Sequence, residues 1–377
     1  MRISFLHEHI CLFKTSSNSR GILMDSVQST IDAISSVDQS LLDKGRAHMD
    51  NLTKPRGSLG YLEDLACRLY AFSGGKGDRL GVDPARIYTC AGDHGVAASG
   101  VSLFPQEVTR QMVFNFLNRG AAINVLTQCC NVQLKVVDAG CAGAPFPAHD
   151  LLVDARVRSG TDDISKGPAM DMDSCLQAIK QGIRLAETAV EDGCRCLGTG
   201  EMGIANTTPS TALFCAFFGF TPGEIAGPGT GLDEKGMQSK VKIIEKALDA
   251  NREDVQSGDP LRIMAAVGGL EIACLTGLIL GGASRGIPVV IDGFISTAAF
   301  AAAWMLSPHV LDYCFFAHAS AEPGYLKVME KIGARAVLDL DMRLGEGTGA
   351  AMGVHILRCA AAIFNDMATF DQAGVSN

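Results

Sequence analysis

The chain has 377 residues, 47% of them hydrophobic and 42 of them glycine, with a formal net charge of −9. That length exceeds what one core usually fills, so a large α/β domain with an accessory layer is expected, and the apolar content excludes a disordered chain. The acidic balance and scattered basic residues exclude a nucleic-acid surface, so a bound phosphate would rest on backbone N–H groups and one or two placed cations.

The elements follow in chain order. Residues 1–24 open with apolar stretches, Ile3 to Leu6 and Ile10 to Phe13, that His7, Glu8 and His9 interrupt, so no signal-peptide core forms. With the Ser/Asn-rich run that follows, this segment is expected to be a disordered leader or a start-site extension, Met24 being an alternative start. Val27 to Asn51 has one helical periodicity, with Ile31, Ile34, Leu41 and Leu42 near one face. Thr53 to Ser58 breaks it, and Leu59 to Ala71 is a second helix. Arg86 to Ala91 reads as a buried strand ending in Gly92-Asp93-His94-Gly95. Helices over Pro105 to Leu117 and Ala121 to Cys129 precede a strand from Val132 to Asp138. After a loop-rich section, 139–171, come a helix (Ser174 to Asp192), a strand (Cys194 to Thr199) and helices over Pro209 to Phe218 and Lys235 to Ala250. Ile272 to Ala283 is the nearest approach to a membrane segment, but it is too short and glycine-rich to span a bilayer. Pro288 to Asp292, Tyr313 to Ala317 and Ala336 to Leu340 are further strands, and Ala350 to Phe364 is an Ala-rich helix.

Strands alternating with helices predict a Rossmann-like, mainly parallel sheet covered by helices. In such sheets ligands bind beyond the carboxyl ends of the strands. Asp93-His94, Glu201, Asp292, His318 and Glu346 all fall at such ends, which marks an active site there. The thirteen cysteines show no paired Cys-x-x-Cys knuckles, and Cys274 and Cys359 sit in apolar runs. Buried thiols in a reducing cytoplasm fit this better than disulfides or zinc.

Several segments have both a plain and a chemical reading. Glu346 lies in Arg343-Leu344-Gly345-Glu346-Gly347-Thr348-Gly349, either a solvent-facing loop or a carboxylate that glycines leave open to close approach. Gly227-Pro228-Gly229-Thr230-Gly231 either connects two elements or aims N–H groups at an anion ahead of the helix beginning near Asp233. Asn206, Thr207 and Thr208 read as caps of the following helix or as hydroxyl and amide donors beside Glu201, which ends an apolar strand. Asp292 reads as a polar strand terminus or a contact to a ribose hydroxyl. His318, in His318 to Gly324, reads better as a loop stabiliser than as a catalytic group.

Taken together, Leu52-Thr53-Lys54-Pro55-Arg56-Gly57-Ser58-Leu59-Gly60, Ala91-Gly92-Asp93-His94-Gly95-Val96, Gly200-Glu201-Met202-Gly203, Gly227 to Asp233, Asp292-Gly293-Phe294-Ile295, Leu344 to Gly349 and Met367-Ala368-Thr369-Phe370 resemble the signature blocks of the nicotinate-nucleotide:dimethylbenzimidazole phosphoribosyltransferase family. The resemblance runs in order from about Asp38 to Val375. It implies transfer of a phosphoribosyl group from nicotinate mononucleotide to 5,6-dimethylbenzimidazole in cobalamin nucleotide-loop assembly. It also implies Glu346 as general base and Glu201 as a second, orienting carboxylate. Gly203, Gly229, Gly231 and Lys240 would cradle the phosphate, with Asp292 toward the ribose. Ser102, Phe104, Gln106, Met202 and Leu344 would line the base pocket. No metal or redox cofactor is implied; small-molecule substrates and a cytoplasmic homodimer are.

The organisation expected on this basis is residues 25–83 as N-terminal helices of a small domain, 84–341 as the large α/β domain, and 342–377 as catalytic loop and C-terminal helix returning to the small domain. Departures from the family pattern are Ala205, where the family often has Gly, and Thr199 ahead of Gly200-Glu201. Two rival readings are a paralogue using adenine or a phenol as base, and a non-catalytic nucleotide sensor. Keeping both Glu201 and Glu346 weighs against the sensor.

Overall fold

A computed structural model describes residues 18–75 and 79–376. Its centre is a seven-stranded sheet of β1 (Ala85–Gly92), β2 (Gln133–Gly140), β3 (Leu152–Asp154), β4 (Cys196–Met202), β5 (Val289–Ile291), β6 (Cys314–His318) and β7 (Ala336–Leu338), in the order β3-β2-β1-β4-β5-β6-β7. Every neighbouring pair is parallel. All eight residues of β1 are buried, as expected for a central strand covered on both faces, where the apolar run is continuous.

Period-two alternation sorts the strand residues between two cores. Tyr88, Cys90, Val137, Leu197, Val289 and Phe316 join one, while Ile87, Ala91, Val136, Cys196, Val290 and Phe315 join the other. The first core is filled by the helices Met172–Glu191, Thr207–Phe218, Leu270–Ser284 and Phe294–Leu306. The second is filled by Tyr61–Phe72, Glu107–Leu117 and Thr348–Asp366. The strand order reverses between β1 and β4, the usual neighbourhood for a ligand in such a sheet.

The N-terminal helices depart from expectation in two ways. The single periodicity over Val27 to Asn51 is carried by two helices, Asn18–Asp32 and Gln39–Asp50. Ser35 and Ser36 favour non-helical backbone, and Asp38 restarts the chain by accepting a bond from Ser40 N at 2.8 Å. The first helix begins inside the expected leader, so residues 18–24 belong to the fold. Leu23 and Met24 pack on the core, and Arg20 pairs with Asp173. Residues 1–17, the rest of that leader, lie outside the described residues.

The helices assigned to one small domain also divide. Asn18–Asp32 packs on Met172–Glu191 and Leu270–Ser284, on one side of the sheet. Gln39–Asp50 and Tyr61–Phe72 join the C-terminal helix Thr348–Asp366 on the other, and Leu52 bridges to Thr369. The loop-rich section hides β3, whose three residues are too few to show a period.

The apolar run at Ile272 to Ala283 is a core helix, buried from Leu270 to Ala283. No helix among the described residues is long and apolar enough to cross a membrane. It crosses Met172–Glu191 at two glycines: a β-carbon on Gly277 would overlap the Ile179 carbonyl, and one on Gly182 would overlap that of Cys274. Helix propensity alone favours Gly277→Ala by about 1 kcal/mol. The backbone overlap reverses that sign, and we expect a net destabilisation of about 1–3 kcal/mol. Urea unfolding of the variant checks this; a stabilised protein would show that the helices are not in backbone contact.

Candidate active site

Glu346 occupies a loop that ordinary side chains avoid. Gly345, Glu346 and Gly347 have φ of +85°, +65° and +95°, three successive residues in the left-handed region. Hydrogen bonds from three adjacent strands hold this turn. The Glu346 N–H donates to the Glu201 carbonyl on β4 at 3.1 Å. Its carbonyl accepts from Thr89 Oγ1 on β1 at 2.6 Å. Beyond β5, Asp292 accepts from the N–H groups of Gly347 at 3.1 Å and Ala350 at 2.9 Å, which also caps the Thr348–Asp366 helix. Asp292, expected to contact a ribose hydroxyl, positions the Glu346 loop instead and does not line the cleft described below.

The Glu346 carboxylate is buried, and its Oε2 accepts from Ile123 N at 3.2 Å, at the start of the Ala122–Cys129 helix. Glu201 is buried next to it and bonded by Asn206 Nδ2. A β-carbon at Gly345 would overlap Glu201 Oε1, so that glycine is needed for the two segments to meet. Burial pushes the Glu201 carboxyl up to about 8, against the Asn206 bond and with help from Asp292, Glu271 and Glu346. Burial raises Glu346 too, opposed by the Ile123 N–H and reinforced by Asp292. Asp292 is pushed up to about 7 by burial, despite its backbone donors. Burial therefore favours the protonated form of Glu201.

A cleft of about 300 Å³ opens beyond the carboxyl ends of β4, β5 and β6. Of the residues expected from sequence, it is lined by Ser102, Phe104, Glu201, Met202, Gly203, Gly229 and Leu344. Glu346 does not line it; its neighbours Leu344 and Gly345 do. Gln106 precedes the Glu107–Leu117 helix and does not line the cleft. A second concavity of about 360 Å³, lined by Asp83 to Ala85 and Asn131 to Gln133, sits at the opposite, amino end of the sheet and gathers none of these groups.

At the far side of the cleft, Lys240 is fully buried, and burial pulls its ammonium down to about 8. Its Nζ donates to Thr207 Oγ1 at 2.6 Å and to the Gly227 carbonyl at 2.9 Å. The helix it belongs to, Glu234–Ala250, offers no open N-terminus. Asp233 caps it, accepting from Gly236 N at 2.8 Å, and puts a negative charge where an anion was expected. Gly231 is exposed and spends its N–H on the Pro228 carbonyl at 3.0 Å. Of the expected cradle, Lys240, Gly229 and Gly203 remain at or beside the cleft.

Thr230, His318, Ser320, Glu322 and Arg343 also line it, although sequence reasoning gave them no substrate role. The signal available for most of them was their place just past a strand, in His318 to Gly324 after β6. Thr230 Oγ1 takes the Leu103 N–H at 3.0 Å and meets Ser102 Oγ at 3.1 Å, joining the two sides of the mouth. Burial holds His318 below its ordinary value, hence neutral. The two departures from the family pattern have physical readings. Ala205 has φ +76°, a conformation that suits glycine better, and Thr199 Oγ1 accepts the Asp292 N–H at 3.0 Å, joining β4 to β5.

A Rossmann-like sheet with buried carboxylates and a buried lysine around one crevice is the frame of a phosphoribosyltransferase, and the family model of that description matches residues 34–375. The chain belongs to the nicotinate-nucleotide–dimethylbenzimidazole phosphoribosyltransferase family. A relative of that name from Nitratidesulfovibrio vulgaris strain Hildenborough is 59% identical over 350 residues, covering 93% of this chain and 98% of its own. One from Chlorobaculum tepidum is 48% identical over 354 residues, covering 94% and 99%. The crystal structure of the Thermus thermophilus protein of that name superimposes with a TM-score of 0.84 at 41% identity, covering 90% of this chain and 99% of that one.

The raised Glu201 carboxyl makes stability depend on pH. Below its ordinary value of 4.5 the group is neutral folded or unfolded. As pH rises toward its folded value of about 8, the unfolded chain releases the proton and the folded one keeps it, so the stability present at low pH is lost. Glu201→Gln lacks this term. Its melting temperature relative to wild type should climb steadily between those two pH values. A difference that stays flat over the range would mean that Glu201 ionises freely in the folded protein.

Proposed function

We propose that this chain moves the phosphoribosyl group of nicotinate mononucleotide to 5,6-dimethylbenzimidazole, releasing nicotinate and forming α-ribazole phosphate in cobalamin nucleotide-loop assembly. The observation that carries this reading is near-full-length similarity, at up to 59% identity, to proteins named for that reaction. Glu201 in the cleft wall, with Glu346 buried next to Gly345 and Lys240 buried behind Gly229, supports it.

The chemistry follows from the groups present. One benzimidazole nitrogen attacks C1 of the ribose with its lone pair, while the bond to nicotinate breaks and its electron pair stays on the pyridine nitrogen. Nicotinate leaves from a pyridinium, so it needs little acid assistance. The product ring gains positive charge and must lose its N–H proton, which Glu346 accepts. Burial raises the basicity of that carboxylate above that of a solvated one, which improves the match to the task. Inversion at C1 gives the α-anomer in a single displacement, with no covalent enzyme intermediate. Glu201, protonated beside the Leu344-Gly345 turn, orients the incoming base through hydrogen bonding. Phe104, Met202 and Leu344 offer apolar surface to a planar aromatic ring. Lys240 and the Gly229 strap face the phosphate, and the free third N–H of the lysine supplies the charge. The homodimeric assembly and the cytoplasmic setting are parts of the same proposal, resting on the family resemblance; sizing chromatography tests the first.

Incubation with nicotinate mononucleotide and a panel of bases, read by mass spectrometry, is the direct test, and failure to form α-ribazole phosphate would remove the reading. Glu346→Gln keeps the shape of the turn but cannot take the proton. Turnover should fall by roughly 10²-fold or more with mononucleotide binding largely retained. Near-normal turnover would place the base elsewhere. Lys240→Met keeps the buried stem and removes the charge. It should raise KM for the mononucleotide and leave that for the benzimidazole close to wild type; an equal rise in both would dissociate Lys240 from the phosphate.

A further inference from the structure

Glu322 stands just past β6, in the turn before the Tyr325–Ile332 helix, and forms part of the cleft wall while only 5% exposed. Its Oε2 is sealed from solvent with no hydrogen-bond partner. Burial pushes the carboxyl up, and Lys240, then Arg343 and the Gly229 N–H, draw it back. Glu322 and Lys240 therefore attract each other. The Gly227–Gly229 strap runs between them: the Gly227 carbonyl takes a bond from Lys240, and a β-carbon on Gly227 would overlap Glu322 Oε2. Among the described residues the two do not close into an ion pair; Lys240 is bonded to Thr207 Oγ1 and Gly227 O instead.

A buried acid in the cleft wall and a buried ammonium held apart from it behind the Gly227–Gly229 strap form an unfavourable arrangement unless something bound completes it. The completing ligand needs an anion for the lysine and hydroxyl donors for the carboxylate on one small frame. A carboxylate without its proton accepts only, so it repels a phosphate and selects O–H groups. A 5-phosphoribosyl group has this pattern, with a phosphate at one end and two vicinal hydroxyls on the ring.

We propose that Glu322 is the ribose-recognising residue of this site: its carboxylate accepts hydrogen bonds from the 2′- and 3′-hydroxyls while the phosphate lies toward Lys240. This rests on the phosphoribosyl-transfer reading above. Two acidic residues line the cleft, Glu201 and Glu322. Glu201 sits at the end where Leu344 and Gly345 lie and is already bonded by Asn206. Asp292 is spent on the Glu346 loop. Glu322 is left to distinguish ribose from deoxyribose, a discrimination that hydroxyl-binding carboxylates achieve because the missing hydroxyl leaves a buried acceptor unpaired.

The test compares wild type, Glu322→Ala and Glu322→Gln with nicotinate mononucleotide and its 2′-deoxy and 3′-deoxy analogues. Wild type should lose roughly 10-fold or more in kcat/KM when a contacted hydroxyl is removed, as expected for a charge-assisted bond. Glu322→Ala should lose a similar factor with the natural substrate and little more with the deoxy analogue, with KM for the benzimidazole unchanged. Glu322→Gln, which keeps volume and one acceptor, should fall between them. The proposal is overturned if wild type handles both deoxy analogues as well as the ribonucleotide, a result that does not depend on either variant folding. It is equally overturned if a folded Glu322→Ala discriminates as wild type does. Calorimetry of wild type with ribose 5-phosphate against 2-deoxyribose 5-phosphate and 3-deoxyribose 5-phosphate separates this proposal from the reaction. If no turnover is found but ribose 5-phosphate binds at least 10-fold tighter than one of the deoxy sugars, the transferase reading fails while Glu322 recognition stands. Equal binding of all three removes it.

Discussion

Residues bearing side chains enter the left-handed region at a cost of roughly 1–2 kcal/mol, and Glu346 does so between two glycines in the same region. The turn persists because β1, β4 and the residue that follows β5 each supply one anchor: the Thr89 hydroxyl, the Glu201 carbonyl and the Asp292 carboxylate. These three strands are adjacent only because the sheet runs β1-β4-β5 at its middle. The placement of the carboxylate thus depends on strand order, and the site inherits the rigidity of the most buried part of the fold. A loop tethered at one end would leave the acid free to rotate into solvent.

The same burial that fixes the geometry sets the charges. Acidic groups crowd the carboxyl ends of the strands, and each is accommodated differently. Asp292 takes backbone N–H groups, Glu271 takes His94 Nε2 at 2.7 Å, Glu346 takes the Ile123 N–H, and burial favours a proton on Glu201. In a medium of low effective dielectric these are different electrostatic states, so two glutamates a few atoms apart serve different purposes. The arrangement is asymmetric along the cleft, with Glu201 at one end and Lys240 buried beside the other.

Much of the architecture was legible because it is periodic. The strands at Arg86, Val132, Cys194, Pro288, Tyr313 and Ala336 stand out as apolar runs, and their alternation with helices predicts a parallel sheet. What escaped had no period to show, or two competing ones. The strand Leu152–Asp154 is three residues long, and the helix expected over Val27 to Asn51 breaks where Ser35, Ser36 and Asp38 favour capping over continuation. Grouping the terminal helices failed for a different reason. Their apolar faces are similar in sequence, and nothing local says which side of a sheet each one covers.

Motif order and apolar periodicity are properties of one dimension, so the reaction class and the alternation of elements can be read along the chain. Tertiary structure alone decided what each polar side chain faces. Asp292 stands at a strand end in the sequence just as Glu322 does, yet one is consumed by two backbone N–H groups and the other is left with an unpaired oxygen in the cleft wall. Likewise Asp233 closes a helix terminus that the glycines before it would otherwise leave open, and Lys240, an ordinary helical lysine in the sequence, is fully buried beside the cleft. Hydrogen-bond partners and burial are set by segments tens to hundreds of residues away, and no local pattern encodes that distance.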